Sequence, residues 1–124
     1  FFVKDLNSSI KVFENFIDLK RKTKIFYEKS FNVKIQFIYD KKNICYELIA
    51  PYKKNNPVDT VLESKNNILN HVAYKSKKFD QDIKKLIKKK FTQLTKPKKV
   101  ICFKNKKVIF FLSPLNFIIE LIEE

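Results

Sequence analysis

Apolar positions along this chain change their spacing in the same order in each half. In the first half, Ile10, Phe13, Phe16 and Ile17 recur three and four residues apart, which predicts the apolar face of a helix. Residues 5–9, DLNSS, supply N-cap side chains in front of it. Residues 1–3 read as the tail of a strand, and residues 24–27 as a short strand. Residues 33–39 and 44–50 predict two longer strands, and 40–43 have the composition of the turn between them. A polar connection at 51–56, a short helical piece at 58–62 and a turn at 64–67 complete this half. The second half begins at about Ile68. Residues 70–74 predict a strand, and Phe79, Ile83, Leu86 and Ile87 the apolar face of a second helix. Strands are expected at 91–94, 100–103, 108–112 and 117–122, with one run inside 92–103 a loop. Pro97 and Pro114 fall in connections, where a missing N–H does little harm.

The two halves also match residue by residue. FIYDKKNICYELI (37–49) reads against FFLSPLNFIIELI (110–122) with no gap, at a shift of 73. Phe37/Phe110, Asn43/Asn116, Glu47/Glu120, Leu48/Leu121 and Ile49/Ile122 are identical. The same shift pairs Lys4/Lys77, Ile10/Ile83 and Lys11/Lys84. One shift serving both ends of a half indicates a duplicated module. The expectation is a single α+β domain over 1–124, made of two tandem βαβββ modules (about 1–57 and 68–124) with pseudo-twofold symmetry. They are expected to form curved mixed sheets around a central cavity, with the helices outside.

Composition narrows the function. No run reaches 18 apolar residues, and the start lacks the basic-then-apolar order of a signal peptide, so a cytoplasmic protein is expected. The two cysteines, Cys45 and Cys102, stand outside any C-x-x-C and read as reduced, buried thiols. The net charge of +14 invites a nucleic-acid partner. Yet the chain has no Gly, only two Ala and a single Arg, while Lys, Asn, Ile and Phe abound. These are residues of AT-rich codons, so codon drift explains much of the charge. A selected nucleic-acid surface would use more Arg. The whole-chain composition therefore weighs against nucleic acid.

The candidate chemistry lies on the matched glutamates. In NICYELIA, Cys45, Glu47 and Ile49 share one strand face, and in NFIIELIE, Glu120 shares a face with Ile118 and Ile122. A carboxylate among apolar neighbours is costly to ionise unless it is paired, hydrogen-bonded or bound to metal. The plainer alternative is that each glutamate faces solvent or meets a lysine. His71, the single histidine, opens the second module's first strand. It shares a face with Ala73, opposite Asn70 and Val72. If that strand lies beside the last one, His71 faces the same cavity as the glutamates. Two carboxylates and an imidazole suit a divalent ion of the Mn, Fe, Co, Ni or Zn kind. Under the 73-residue shift, the partner of His71 falls three residues before Phe1, so the first strand is expected to be truncated.

The segments LNHVAY and IFFLSPLNFIIELIEE, with a helix between them, resemble the second half of the vicinal oxygen chelate superfamily. That superfamily includes glyoxalase I, bleomycin and fosfomycin resistance proteins, extradiol dioxygenases and methylmalonyl-CoA epimerase. CYELIAPY and its spacer are most similar to the epimerase branch, and FFVKDLNSSIKVFENF to the family's opening strand and helix. The resemblance implies Glu47, His71 and Glu120 as metal ligands, with Glu47 or Glu120 also moving the proton. It implies a glyoxalase-type lyase or isomerase that transfers a proton next to a metal-bound carbonyl of a small acid or CoA thioester. It also implies a small-molecule substrate, anionic or a CoA thioester, and a homodimer. The alternative is a non-catalytic, resistance-type binding module of the same fold. Two features depart from the epimerases. Gln36 is the nearest polar candidate in 33–38 for their additional acid/base Glu, and their Gly-rich loop is here Lys104-Asn-Lys-Lys107. Lys84, Lys85, Lys88 and Lys89 read as a solvated helix face, and Lys98, Lys99 and Lys104–Lys107 as a basic rim for an anionic substrate.

Overall fold

The computed structural model describes residues 1–64 and 69–124. The expected turn at 64–67 and the module start at Ile68 therefore lie largely outside the described residues; Ser64 itself is in a turn. The chain divides into two compact units, Phe1–Leu69 and Asn70–Glu124.

The first unit contains α1 (Leu6–Phe13), β1 (Leu19–Lys22), β2 (Phe26–Glu28), β3 (Val33–Asp40), β4 (Cys45–Pro51) and α2 (Pro57–Glu63). Helix α1 starts where the Asp5 side chain accepts the Ser8 N–H at 2.8 Å. Its buried stripe, Leu6, Ile10 and Phe13, packs on Ile38, Leu48 and Ala50 of the β3–β4 hairpin. The chain then turns, leaving Phe16 64 % exposed while Ile17 joins the core. Phe16 was expected on the helix face, but three residues beyond Phe13 it lies past the helix end. Strands β1 and β2 both pair with the outer edge of β3, one at each end: Leu19 opposite Asp40, Phe26 opposite Ile35. The expected single strand at 24–27 is thus part of a broken edge strand. Phe2 bridges Ile49 in parallel, placing the opening segment beside β4.

The second unit contains β5 (His71–Ser76), α3 (Phe79–Lys88), β6 (Thr92–Gln93), β7 (Lys98–Val100), β8 (Lys106–Leu112) and β9 (Ile118–Glu123). Strand β5 runs parallel to β9, and β9 runs antiparallel to β8. Strands β6 and β7 share the outer edge of β8, so this edge strand is broken as well. Phe79, Ile83 and Leu86 pack on Ile109, Phe111 and Leu121. Ile87, expected on the same face, is half-exposed. The run at 100–103, expected as a strand, is a strand only at Val100; Ile101–Phe103 form a 3-10 turn.

Both units therefore show the βαβββ order, one sheet antiparallel in its named strands and the other mixed, with neither closed into a barrel. The repeat extends to turn chemistry. Asn43 and Asn116 are left-handed, at φ 64° and 61°, and so are Asn32 and Asn105, at 54° and 61°. Each pair stands 73 apart. In a chain without glycine, asparagine takes these positions because it tolerates the left-handed region best among the rest. Asp40 Oδ1 accepts the Ile44 N–H at 2.9 Å, and its counterpart Ser113 Oγ accepts the Phe117 N–H at 3.3 Å. Cys45 and Cys102 are free thiols, but Cys45 is exposed at the start of β4 and Cys102 only half-buried, contrary to the expected burial.

Candidate metal centre

Strand alternation brings two of the candidate residues together in the second unit. On β9, Leu121 points to α3, so Glu120 points to the opposite face. The register places Ala73 beside Glu120 and His71 beside Ile118. His71 and Ala73 share a face, so His71 becomes a diagonal neighbour of Glu120. His71 Nε2 lies 3.2 Å from Glu120 Oε2, with the two side chains 6 % and 4 % exposed. Phe110, opposite Glu120 on β8, sets its ring edge-on to the imidazole at 5.4 Å.

The other ring nitrogen is also engaged: His71 Nδ1 is 2.9 Å from Asn70 Oδ1. An amide oxygen only accepts, so Nδ1 carries the proton. In the neutral ring Nε2 then offers its lone pair toward a buried carboxylate oxygen. Two such donors face one another favourably only with a cation or proton between them. Ligand atoms 2.0–2.2 Å from one ion at tetrahedral or octahedral angles stand roughly 3.0–3.4 Å apart, and the observed 3.2 Å falls in that range. The Asn70 contact is the outer-shell partner that metal-bound histidines usually have. The donor set fits a divalent ion. Asn70 was expected to face away from His71; its position immediately before the histidine was the available signal.

Glu47 lies in the first unit on β4, half-buried and opposite Phe37. Leu48 and Ala50 pack on α1, so Glu47 is on the face away from the helix, as Glu120 is in its own unit. The pairs Phe37–Glu47 and Phe110–Glu120 are equivalent in register. Gln36 is on the other face. It pairs with Leu48, and its Nε2 donates to the Thr23 carbonyl at 2.7 Å. Strand parity thus removes it as a partner for Glu47. The β3 residues on the Glu47 face are Val33, Ile35, Phe37 and Tyr39.

The lysines separate into two settings. Lys84, Lys85, Lys88 and Lys89 are exposed, as expected of a solvated helix face. At the turn before β8, Lys104 and Asn105 are both left-handed, and Glu123 accepts the Lys107 N–H at 3.1 Å.

Against known proteins, the family model of the Glyoxalase/Bleomycin resistance protein/Dioxygenase superfamily matches residues 1–110. No curated protein sequence matches the chain. Among solved structures, a hypothetical protein from Bacillus halodurans C-125 superposes with a TM-score of 0.82 at 17 % identity, covering 98 % of this chain and 88 % of that one. Methylmalonyl-CoA epimerase from Mycobacterium tuberculosis gives 0.80 at 14 % identity, covering 98 % and 81 %. A Streptomyces coelicolor methylmalonyl-CoA epimerase variant in complex with 2-nitronate-propionyl-CoA gives 0.76 at 13 %, covering 98 % and 90 %. At such identities the likeness is one of fold.

Proposed function

Because the chain belongs to the Glyoxalase/Bleomycin resistance protein/Dioxygenase superfamily, we propose that it is a divalent-metal-dependent lyase or isomerase that moves a proton next to a carbonyl. The observation that carries this reading is the buried His71–Glu120 pair, with the imidazole oriented by Asn70. Glu47 is proposed as the third ligand, on the strength of its repeat equivalence to Glu120. The ion is of the Mn, Fe, Co, Ni or Zn kind. When bound, it supplies a Lewis acid that lowers the cost of negative charge on a carbonyl oxygen. His71 and Glu120 would hold it, and the Asn70 contact keeps the ring from turning. Phe110 covers one side of the imidazole and limits access of water. Either Glu47 or Glu120 takes the proton from the carbon beside the carbonyl, a role suited to a carboxylate whose basicity its surroundings tune. A CoA thioester is the first substrate to try, since epimerases of this fold have been captured with such ligands.

One observation favours a second reading, a binding module without catalysis. Gln36 is turned toward the helix side of its sheet, so β3 brings no second carboxyl group to the Glu47 face. Two measurements separate the readings. Elemental analysis of the purified protein should find about one divalent ion per chain, and His71→Ala should lose it about tenfold or more. Full metal retention in His71→Ala would overturn the metal assignment. Solvent deuterium should enter the carbon beside the thioester of methylmalonyl-CoA in the metal-loaded protein. Metal without exchange into any such thioester would favour the binding module.

A further inference from the structure

We propose that the outer edge of the second unit binds the phosphate backbone of nucleic acid, independently of base sequence. Averaged over the chain, codon drift accounts for the charge; divided between the units, it does not. Residues 70–124 hold 14 lysines against five acids, a net +9 of the chain's +14, while the longer stretch 1–69 carries +5. Between Asp82 and Glu120 there are eleven lysines and not one acid. Drift toward AT-rich codons enriches lysine everywhere, but it does not strip Asp and Glu from one stretch alone.

Three of the five acids of the unit are engaged, and the other two, Asp80 and Glu124, lie outside the acid-free run. Glu120 meets His71, Asp82 accepts the Ser76 hydroxyl at 2.6 Å, and Glu123 takes the Lys107 backbone N–H. Ten of the eleven lysines are exposed. They lie on and just after α3, at Lys96 and on β7 along one edge of β8, and at the turn into β8. Lys99 stands directly opposite Lys107, whose Nζ is 3.8 Å from Glu123 Oε1, so Lys99 is left as the charge of that pair open to a further anion. Edge-strand lysines also block pairing with foreign strands, and a solvated helix face accounts for those on α3, but neither accounts for Lys96 and the lysines at the turn or for the absence of acids among them.

The form of the edge selects the partner. Lys96, Lys98, Lys99, Lys104 and Lys106 are spread along an open edge and its turn, an array suited to a linear polyanion. Lysine acts as a point charge on phosphate and does not make arginine's bidentate contacts to bases. A membrane would need a contiguous apolar face as well. Here the exposed Ile87, Leu94 and Ile101 stand singly on the helix, the edge and the turn.

The test is fluorescence anisotropy of the full chain with a labelled 20-base-pair duplex of arbitrary sequence, over a range of salt. Two fourfold variants are compared. One carries Lys89→Gln, Lys96→Gln, Lys99→Gln and Lys106→Gln; the other carries Lys4→Gln, Lys11→Gln, Lys41→Gln and Lys42→Gln, all exposed in the first unit. The net charge change is equal. Binding that weakens with salt is expected, reduced about tenfold or more in the edge variant with a log–log slope shallower by roughly 3–4, and changed less than about twofold in the control. Equal losses in both variants, no duplex binding at low salt, or tighter binding to phosphatidylserine vesicles than to duplex would each overturn the proposal. Far-UV circular dichroism of both variants establishes that they are folded.

Discussion

Asparagine occupies the left-handed position of the β3–β4 and β8–β9 hairpins, and it does so in the absence of any glycine. An alanine there meets the steric clash between its Cβ and the following carbonyl. Asn43→Ala is therefore expected to cost about 1 kcal/mol more than Asn43→Gly. Both changes lose the 3.0 Å contact from Lys20 Nζ to Asn43 Oδ1, so their difference isolates the backbone effect. Urea unfolding of the two variants measures it; equal midpoints would show that the turn does not need the left-handed conformation. At this scale the sequence showed the right pairs more readily than the right contacts. Glu47 and Glu120 were legible because a repeat marks equivalent positions, and His71 because strand parity puts it on the face of Glu120. Gln36, the nearest polar residue in 33–38, is removed by parity: it is one residue from the Glu47 face and so points the other way. Asn70 was passed over because parity alone ignored that the residue just before a strand is free to fold its side chain back.

Among the elements, the helices were legible and the outer strands were not. The apolar stripe of α1 and the Asp5 cap are written in adjacent residues, whereas LKRK of β1 has no alternation at all. Its strand exists because β3 offers an open edge, and lysine is tolerated there for lack of anything to bury it. The same holds for Thr92–Gln93 and Lys98–Val100 beside β8. The cap itself is testable by pH. The Ser8 backbone N–H, then the Ser8 side chain, holds the Asp5 carboxyl below its ordinary 3.8. A depressed folded value means stabilisation that is complete above the unfolded value and lost as pH falls through the lower folded one. The melting temperature of the native chain should thus exceed that of Asp5→Ala near neutrality, and the gap should close as the pH drops below the ordinary carboxylate range. Thermal melts followed by circular dichroism across that range give the comparison. A gap that stays constant into strong acid would mean that the cap acts through something other than the charge. Asp5→Asn, which caps without ionising, should show no such pH dependence.

For the whole molecule, the repeat reaches well beyond sequence identity. Hairpin register, left-handed positions and broken edge strands recur in both units, yet identities at the 73-residue shift are few outside 37–49 and 110–122. What the two copies keep in common is turn chemistry and the glutamate facing away from the helix; what they do not share is charge. That divergence suits a molecule in which one feature serves the fold twice and another serves a partner once. It also sets how the proposed metal should act on stability. An ion bound by the folded chain and not by the unfolded one stabilises by about 2.7 kcal/mol at a hundredfold excess over its dissociation constant. For a chain of this length that is a rise in melting temperature of several degrees. The rise should be absent in His71→Ala and in Glu120→Gln, and it should be reversed by chelator in the native chain. Differential scanning calorimetry with each candidate ion in turn would also rank them. A rise of equal size in His71→Ala would place the ion elsewhere, and lysine-rich surfaces offer no competing cation site, so such a result would send the search to other carboxylates of the chain.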